Sequence, residues 1–124
     1  MFEQQDYILR MIAQAGAALR HALEQLQLRH ASEALEETED AVGLILDTDP
    51  RLVFRLTPEG LSTYLGIGGL LDGRRLDLLA QALELRVQIL GDLGRAEEAE
   101  LDARRAQAVR LLVTPEDRRV SDCG

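Results

Sequence analysis

Ile8, Ile12, Ala15, Leu19, Ala22 and Leu26 recur at alternating intervals of four and three residues. Only an α-helix gathers residues so spaced on one side, because there positions three and four apart are neighbours; a strand would scatter them over both faces. The pattern predicts a helix over about residues 4–29 with a single apolar seam, close to the a and d register of a coiled coil. Met11, Ala18 and Leu23 widen that seam, and Asp6 and Arg10 are spaced for a weak i,i+4 ion pair.

The same logic carries down the chain. Aromatic residues make up only 3% of the sequence, so any core must be Leu, Ala, Val and Ile. Leu and Ala favour helix, and the β-branched residues that favour strands are sparse. A second helix is expected over about 31–47, with Ala34, Leu35, Thr38, Ala41, Val42 and Ile45 inward and Glu33, Glu36, Glu37 and Asp40 outward. Asp47-Thr48-Asp49-Pro50 breaks it, since proline lacks a donor and restricts the residue before it. Residues 51–55 read as a short helical turn.

Thr57-Pro58-Glu59 is a helix start, with a hydroxyl cap, proline at the first helical position and an acid near the positive end of the dipole. The third helix carries Leu61, Tyr64, Leu65, Leu70 and Leu71 and closes at Asp72-Gly73. The fourth, over about 75–92, is apolar on two sides: Leu76, Leu79, Leu83 and Leu90 on one, Leu78, Ala82, Leu85 and Ile89 on the other. A helix apolar nearly all round belongs between neighbours. A fifth runs over about 95–113, with an inner stripe of Ala96, Ala99, Ala103, Ala106, Val109 and Val113 and an outer pair of Glu100 and Arg104. The expectation is an all-α fold of about five helices in antiparallel hairpins, one domain over 1–113, and a flexible tail over 114–124.

A net charge of −8, with every basic residue an arginine, opposes binding to nucleic-acid phosphates. Arg104 with Arg105, and Arg118 with Arg119, sit among acids. No apolar run approaches the roughly 18 residues of a membrane span. The acidic start lacks the basic end of a signal peptide, and the lone thiol, Cys123, suits a reducing compartment. From these features a cytoplasmic protein is expected.

Candidate chemistry is thin. His21 and His30 are nine residues apart and share no helix face, and no HExxH pattern is present. The acidic run from Glu33 to Asp40 has no Glu-x-x-His partner of the kind that carboxylate-bridged metals require. Gly66-Ile67-Gly68-Gly69 lacks the strand and the lysine of a phosphate loop, and Ser32, Ser62 and Ser121 have no elbow motif. No catalytic, cofactor-binding or metal-binding residue is assigned, and the protein is expected not to be an enzyme.

Two segments repeat. His30-Ala31-Ser32-Glu33-Ala34 through Ala41, and Arg95-Ala96-Glu97-Glu98-Ala99 through Ala106, lie sixty-five residues apart, each after a long helix. With Leu93-Gly94 before the second copy, the chain resembles the tetratricopeptide family, whose hairpins join through a short turn and pack on small residues at the positions of Ala99 and Ala106. The resemblance covers 4–47 and 75–113 and implies tetratricopeptide-like, right-handed superhelical packing. The spacing is not a multiple of the family's 34-residue period. The turn glycine is replaced by Leu28 or Arg29 in the first copy, and the aromatic by Ala96 in the second. The chain also contains neither Lys nor Asn, the side chains with which such repeats clamp a partner's C-terminal carboxylate. The stretch from Phe2 to Ile12 resembles the opening of a family of small bacterial helical proteins of no known function.

The expectation for function is a non-enzymatic protein–protein interaction scaffold that forms a homodimer. The first helix is the expected interface, through Ile8, Met11, Ile12, Ala15 and Leu19, since its seam is longer than one neighbour covers. The alternative is a small-molecule or metal site between helices near Tyr64 and the glycines.

Overall fold

In the computed structural model, which describes residues 2–68 and 72–113, the chain runs through six α-helices: α1 (Phe2–Gln27), α2 (Ala31–Leu46), α3 (Pro50–Val53), α4 (Pro58–Gly68), α5 (Gly73–Asp92) and α6 (Ala96–Leu112). No strand occurs among the described residues, so the fold is all-α. Helix α3, additional to the five expected, is the short helical turn read over 51–55, and it starts at Pro50. Asp49 caps it by accepting the Arg51 N–H at 3.0 Å. The expected tail over 114–124, with Cys123, and the residues Gly69, Leu70 and Leu71 lie outside the described residues.

Helices α1 and α2 form one antiparallel hairpin, in which His21 of α1 meets Glu37 of α2 across the closed end. Helices α5 and α6 form the other, in which Arg110 near the end of α6 reaches Asp77 near the start of α5. Both hairpins close through one turn. In the first, Arg29 takes a left-handed conformation (φ 69°), its N–H bonds Leu26 O at 3.0 Å, and the His30 N–H bonds Gln25 O at 2.8 Å. In the second, Gly94 is left-handed (φ 75°), its N–H bonds Gly91 O at 3.1 Å, and the Arg95 N–H bonds Leu90 O at 2.8 Å. This pair of bonds is a Schellman motif, which satisfies carbonyls that a helix end would otherwise leave bare. The missing turn glycine of the first hairpin is therefore Arg29.

The hairpins stack directly, α2 and α1 against α5. Arg75 at the start of α5 donates to the Ile45 carbonyl near the end of α2. The α3–α4 segment does not enter that stack: α3 packs on α2 and α4 on α6. Thr57 caps α4 as expected, its hydroxyl accepting the Gly60 N–H at 2.9 Å. Asp72, expected to close the preceding helix, instead starts α5 by accepting the Arg75 N–H at 2.9 Å.

The core lies at this junction. Leu79, Leu83, Ile89 and Leu90 of α5 are fully buried, as are Val42 and Ile45 of α2, Leu61 of α4 and Val109 of α6. Each contributes roughly 1.5–3 kcal/mol by leaving water. The inner stripe of α6 differs from the alanine pattern. Ala96 and Ala103 are exposed, and the buried face instead carries Asp102, Arg105, Ala106 and Val109. Alanine is small enough to sit on either face at little cost, so its spacing fixes no orientation. No helix among the described residues is long and apolar enough to cross a membrane.

Candidate functional site

The five residues expected at an interface do not form an exposed patch. Met11, Ala15 and Leu19 are buried within the chain, and Ile8 and Ile12 are half-buried. The seam is covered by its own hairpin partner, because α2 offers Ala34, Thr38, Ala41 and Ile45 at the matching spacing. The expected Asp6–Arg10 ion pair is not formed.

What α1 leaves open are the two flanks of that seam. Turning by about 100° per residue, a helix places Tyr7, Arg10, Met11 and Gln14 on one side of the buried line and Gly16, Leu19, Arg20 and Leu23 on the other. Each flank lines a groove. The first, of about 380 Å³, runs between α1 and α5; Leu19, Leu23, Leu78 and Leu85 form its floor, and Arg20, Gln81, Glu84 and Gln88 its rim. Gly16 stands at its edge. A methyl group there would meet only the end of the Arg20 side chain, at 3.6 Å. The second groove, of about 570 Å³, runs between α1 and α2, where Asp40, Gly43, Leu44 and Asp47 face Tyr7, Arg10, Met11 and Gln14. A third, of about 680 Å³, lies between α4 and α6, lined by Pro58, Glu59, Ser62 and Thr63 on one side and Arg104, Gln107, Ala108 and Leu111 on the other. Tyr64 is exposed on α4 and lines none of these three grooves.

The densest chemistry is buried. Asp102 of α6 is wholly enclosed and accepts from two arginines, Arg86 Nη1 of α5 and Arg105 Nη1 of its own helix, the latter at 2.7 Å. Arg86 also reaches Glu39 of α2 at 3.3 Å and lies over the Phe54 ring, 3.9 Å from its centroid. Arg105 donates to the carbonyls of Phe54 and Leu56, each at 2.9 Å. Two cations and two anions cancel, so the cluster offers no net charge to a ligand. It is a clamp joining α2, α5, α6 and the α3–α4 connection. Arg86 Nε has no hydrogen-bond partner, so the guanidinium is oriented by its outer nitrogens and the ring.

The remaining polar groups of interest sit at the surface. His21 bonds Glu37, and Gln25 links His21 to His30, whose Nδ1 lies 2.7 Å from Gln25 Oε1. Arg95 holds Glu98 by two hydrogen bonds that keep its carboxyl below the usual range. The Glu33–Asp40 run divides: Glu39 turns inward to Arg86, Glu37 pairs with His21, and Glu33, Glu36 and Asp40 are exposed. Gly66 and Gly68 belong to helix α4, not to a phosphate-binding loop. Among the described residues, no group of three or more His, Cys, Asp and Glu side chains is gathered to hold a metal ion.

Comparison with models of known protein families, with curated proteins and with solved structures found no match.

Proposed function

We infer that this chain is a non-enzymatic protein–protein interaction scaffold of tetratricopeptide type, self-associating and acting in the cytoplasm. Two hairpins closed by the same Schellman turn support the repeat reading. The observation that carries the functional reading is the open groove between α1 and α5. Its apolar floor of Leu19, Leu23, Leu78 and Leu85 is bordered by uncharged Gln81 and Gln88 and by one residue of each sign, Arg20 and Glu84. Apolar centre and polar margin are the anatomy of a recognition surface. An amphipathic helix fits it, laying i, i+3, i+4 and i+7 side chains along the groove while its polar face stays wet.

The test is capture of partner proteins by the wild-type chain and by Leu23→Glu, with helix content and melting temperature recorded for both. Leu23 is 41% exposed, so the charge leaves the fold intact. A partner held by the wild type and lost by Leu23→Glu supports the reading. Equal capture by both discards the groove.

A further inference from the structure

We propose that the outer groove between α1 and α2 is where two copies of this chain pair, about a two-fold axis running parallel to the helices. This deepens the self-association in the scaffold reading, on which it rests, by giving it a surface distinct from the α1/α5 groove. On α1 the groove presents Tyr7, Arg10 and Met11, and on α2 and its C-cap Asp40, Leu44 and Asp47. Tyr7 is 57% exposed and Leu44 38%, an uncovered apolar strip at one end of the hairpin stack. The other hairpin's outer side is covered by α4. A stack of hairpins keeps such an end in water only when its outer face is polar.

Charge identifies the occupant. The cation lies on one wall and both anions on the other, and among the described residues Arg10, Asp40 and Asp47 form no ion pair. An isologous contact requires a patch complementary to itself. A two-fold axis parallel to the helices lays α1 of one copy over α2 of the other at the same height. Arg10 then meets the partner copy's acidic wall, and the second copy's arginine returns the contact. Tyr7 and Leu44 become the dry centre between these two charged contacts. The net charge of −8 on each chain opposes association only weakly, since salt screens charges beyond about 8 Å, whereas the facing pairs act at contact distance.

The experiment is light scattering coupled to size exclusion over a wide range of protein concentration. It compares the wild type, Arg10→Asp, the double variant Asp40→Arg with Asp47→Arg, Leu44→Glu, and an equimolar mixture of the two charge-reversed chains, with circular dichroism to confirm folding. The expected result is a wild-type mass twice that of the 13.8 kDa chain, falling to one chain in each variant alone. In the mixture both facing contacts regain opposite charges, and the dimer returns. A wild type that stays monomeric overturns self-association itself. A wild-type dimer that survives Arg10→Asp and Leu44→Glu, or a mixture that stays monomeric, overturns this surface and leaves the α1/α5 groove untouched. Leu23→Glu leaves the wild-type mass unchanged if the two grooves serve different partners.

Discussion

Arg29 and Gly94 occupy the same place in two copies of one turn, both left-handed and both closed by the same pair of backbone hydrogen bonds. One is a residue for which that conformation is strained, and the other is the residue suited to it. Arg29→Gly should therefore stabilise the protein by up to about 1 kcal/mol, and Gly94→Ala should destabilise it by about the same amount. No neighbour within 4 Å of Gly94 would obstruct a methyl group, so the loss would report backbone strain alone. Urea unfolding of the two variants measures both. Shifts of the same sign would contradict the shared geometry.

Asp102→Ala leaves Arg86 and Arg105 buried without their common acceptor. The expected loss is about 3–5 kcal/mol, a large part of the 5–15 kcal/mol typical of a domain. Glu39→Ala removes only a half-buried partner at 3.3 Å and should cost far less. Equilibrium denaturation ranks the two, and equal losses would mean that Arg86 is held mainly from α2.

Leu83→Ala in the centre of α5 opens a cavity between both hairpins and should cost about 2–5 kcal/mol. Leu111→Ala, on the wet side of α6, should change stability by less than about 0.5 kcal/mol. The contrast tests whether α5 is the shared centre of the stack.

Gly16→Ala should stabilise α1 by roughly 0.5–1 kcal/mol, since glycine weakens a helix interior and the added methyl meets only a flexible arginine tip. It also narrows the α1/α5 groove at one edge. A gain in melting temperature with weaker partner capture would tie that groove to recognition, and a loss in melting temperature would contradict the open setting of Gly16.

The helices were legible because each signal was local and redundant. The seam of α1, the stripe of α2, the cap at Thr57 and the two-sided α5 all stand as read. The seam of α1 does not by itself mark an interface, because periodicity shows that a face is covered without showing by what; α2 carries the matching stripe. The buried clamp was missed because a charged residue is assigned to solvent by default. A signal was nevertheless present. Arg86 falls in the α5 series Leu79, Leu83, Leu90, and Asp102 falls in the α6 series Ala99, Ala106, Val109, Val113, each at the three-or-four spacing of the core face. Opposite charges standing at core positions of two helices in one hairpin mark a buried pair. The candidate surfaces were not readable, because a groove depends on how far apart two helices stand, and that distance follows from packing.

The bonds of Arg105 to Phe54 and Leu56 span about fifty positions of chain, whereas each hairpin closes on residues that follow almost at once. Short closures form quickly and long ones wait, so both hairpins should assemble before the α3–α4 segment is fastened to α6. A clamp fastened last acts on the lifetime of the folded molecule more than on the speed of reaching it. Weakening it should leave the refolding rate nearly unchanged and appear as faster unfolding.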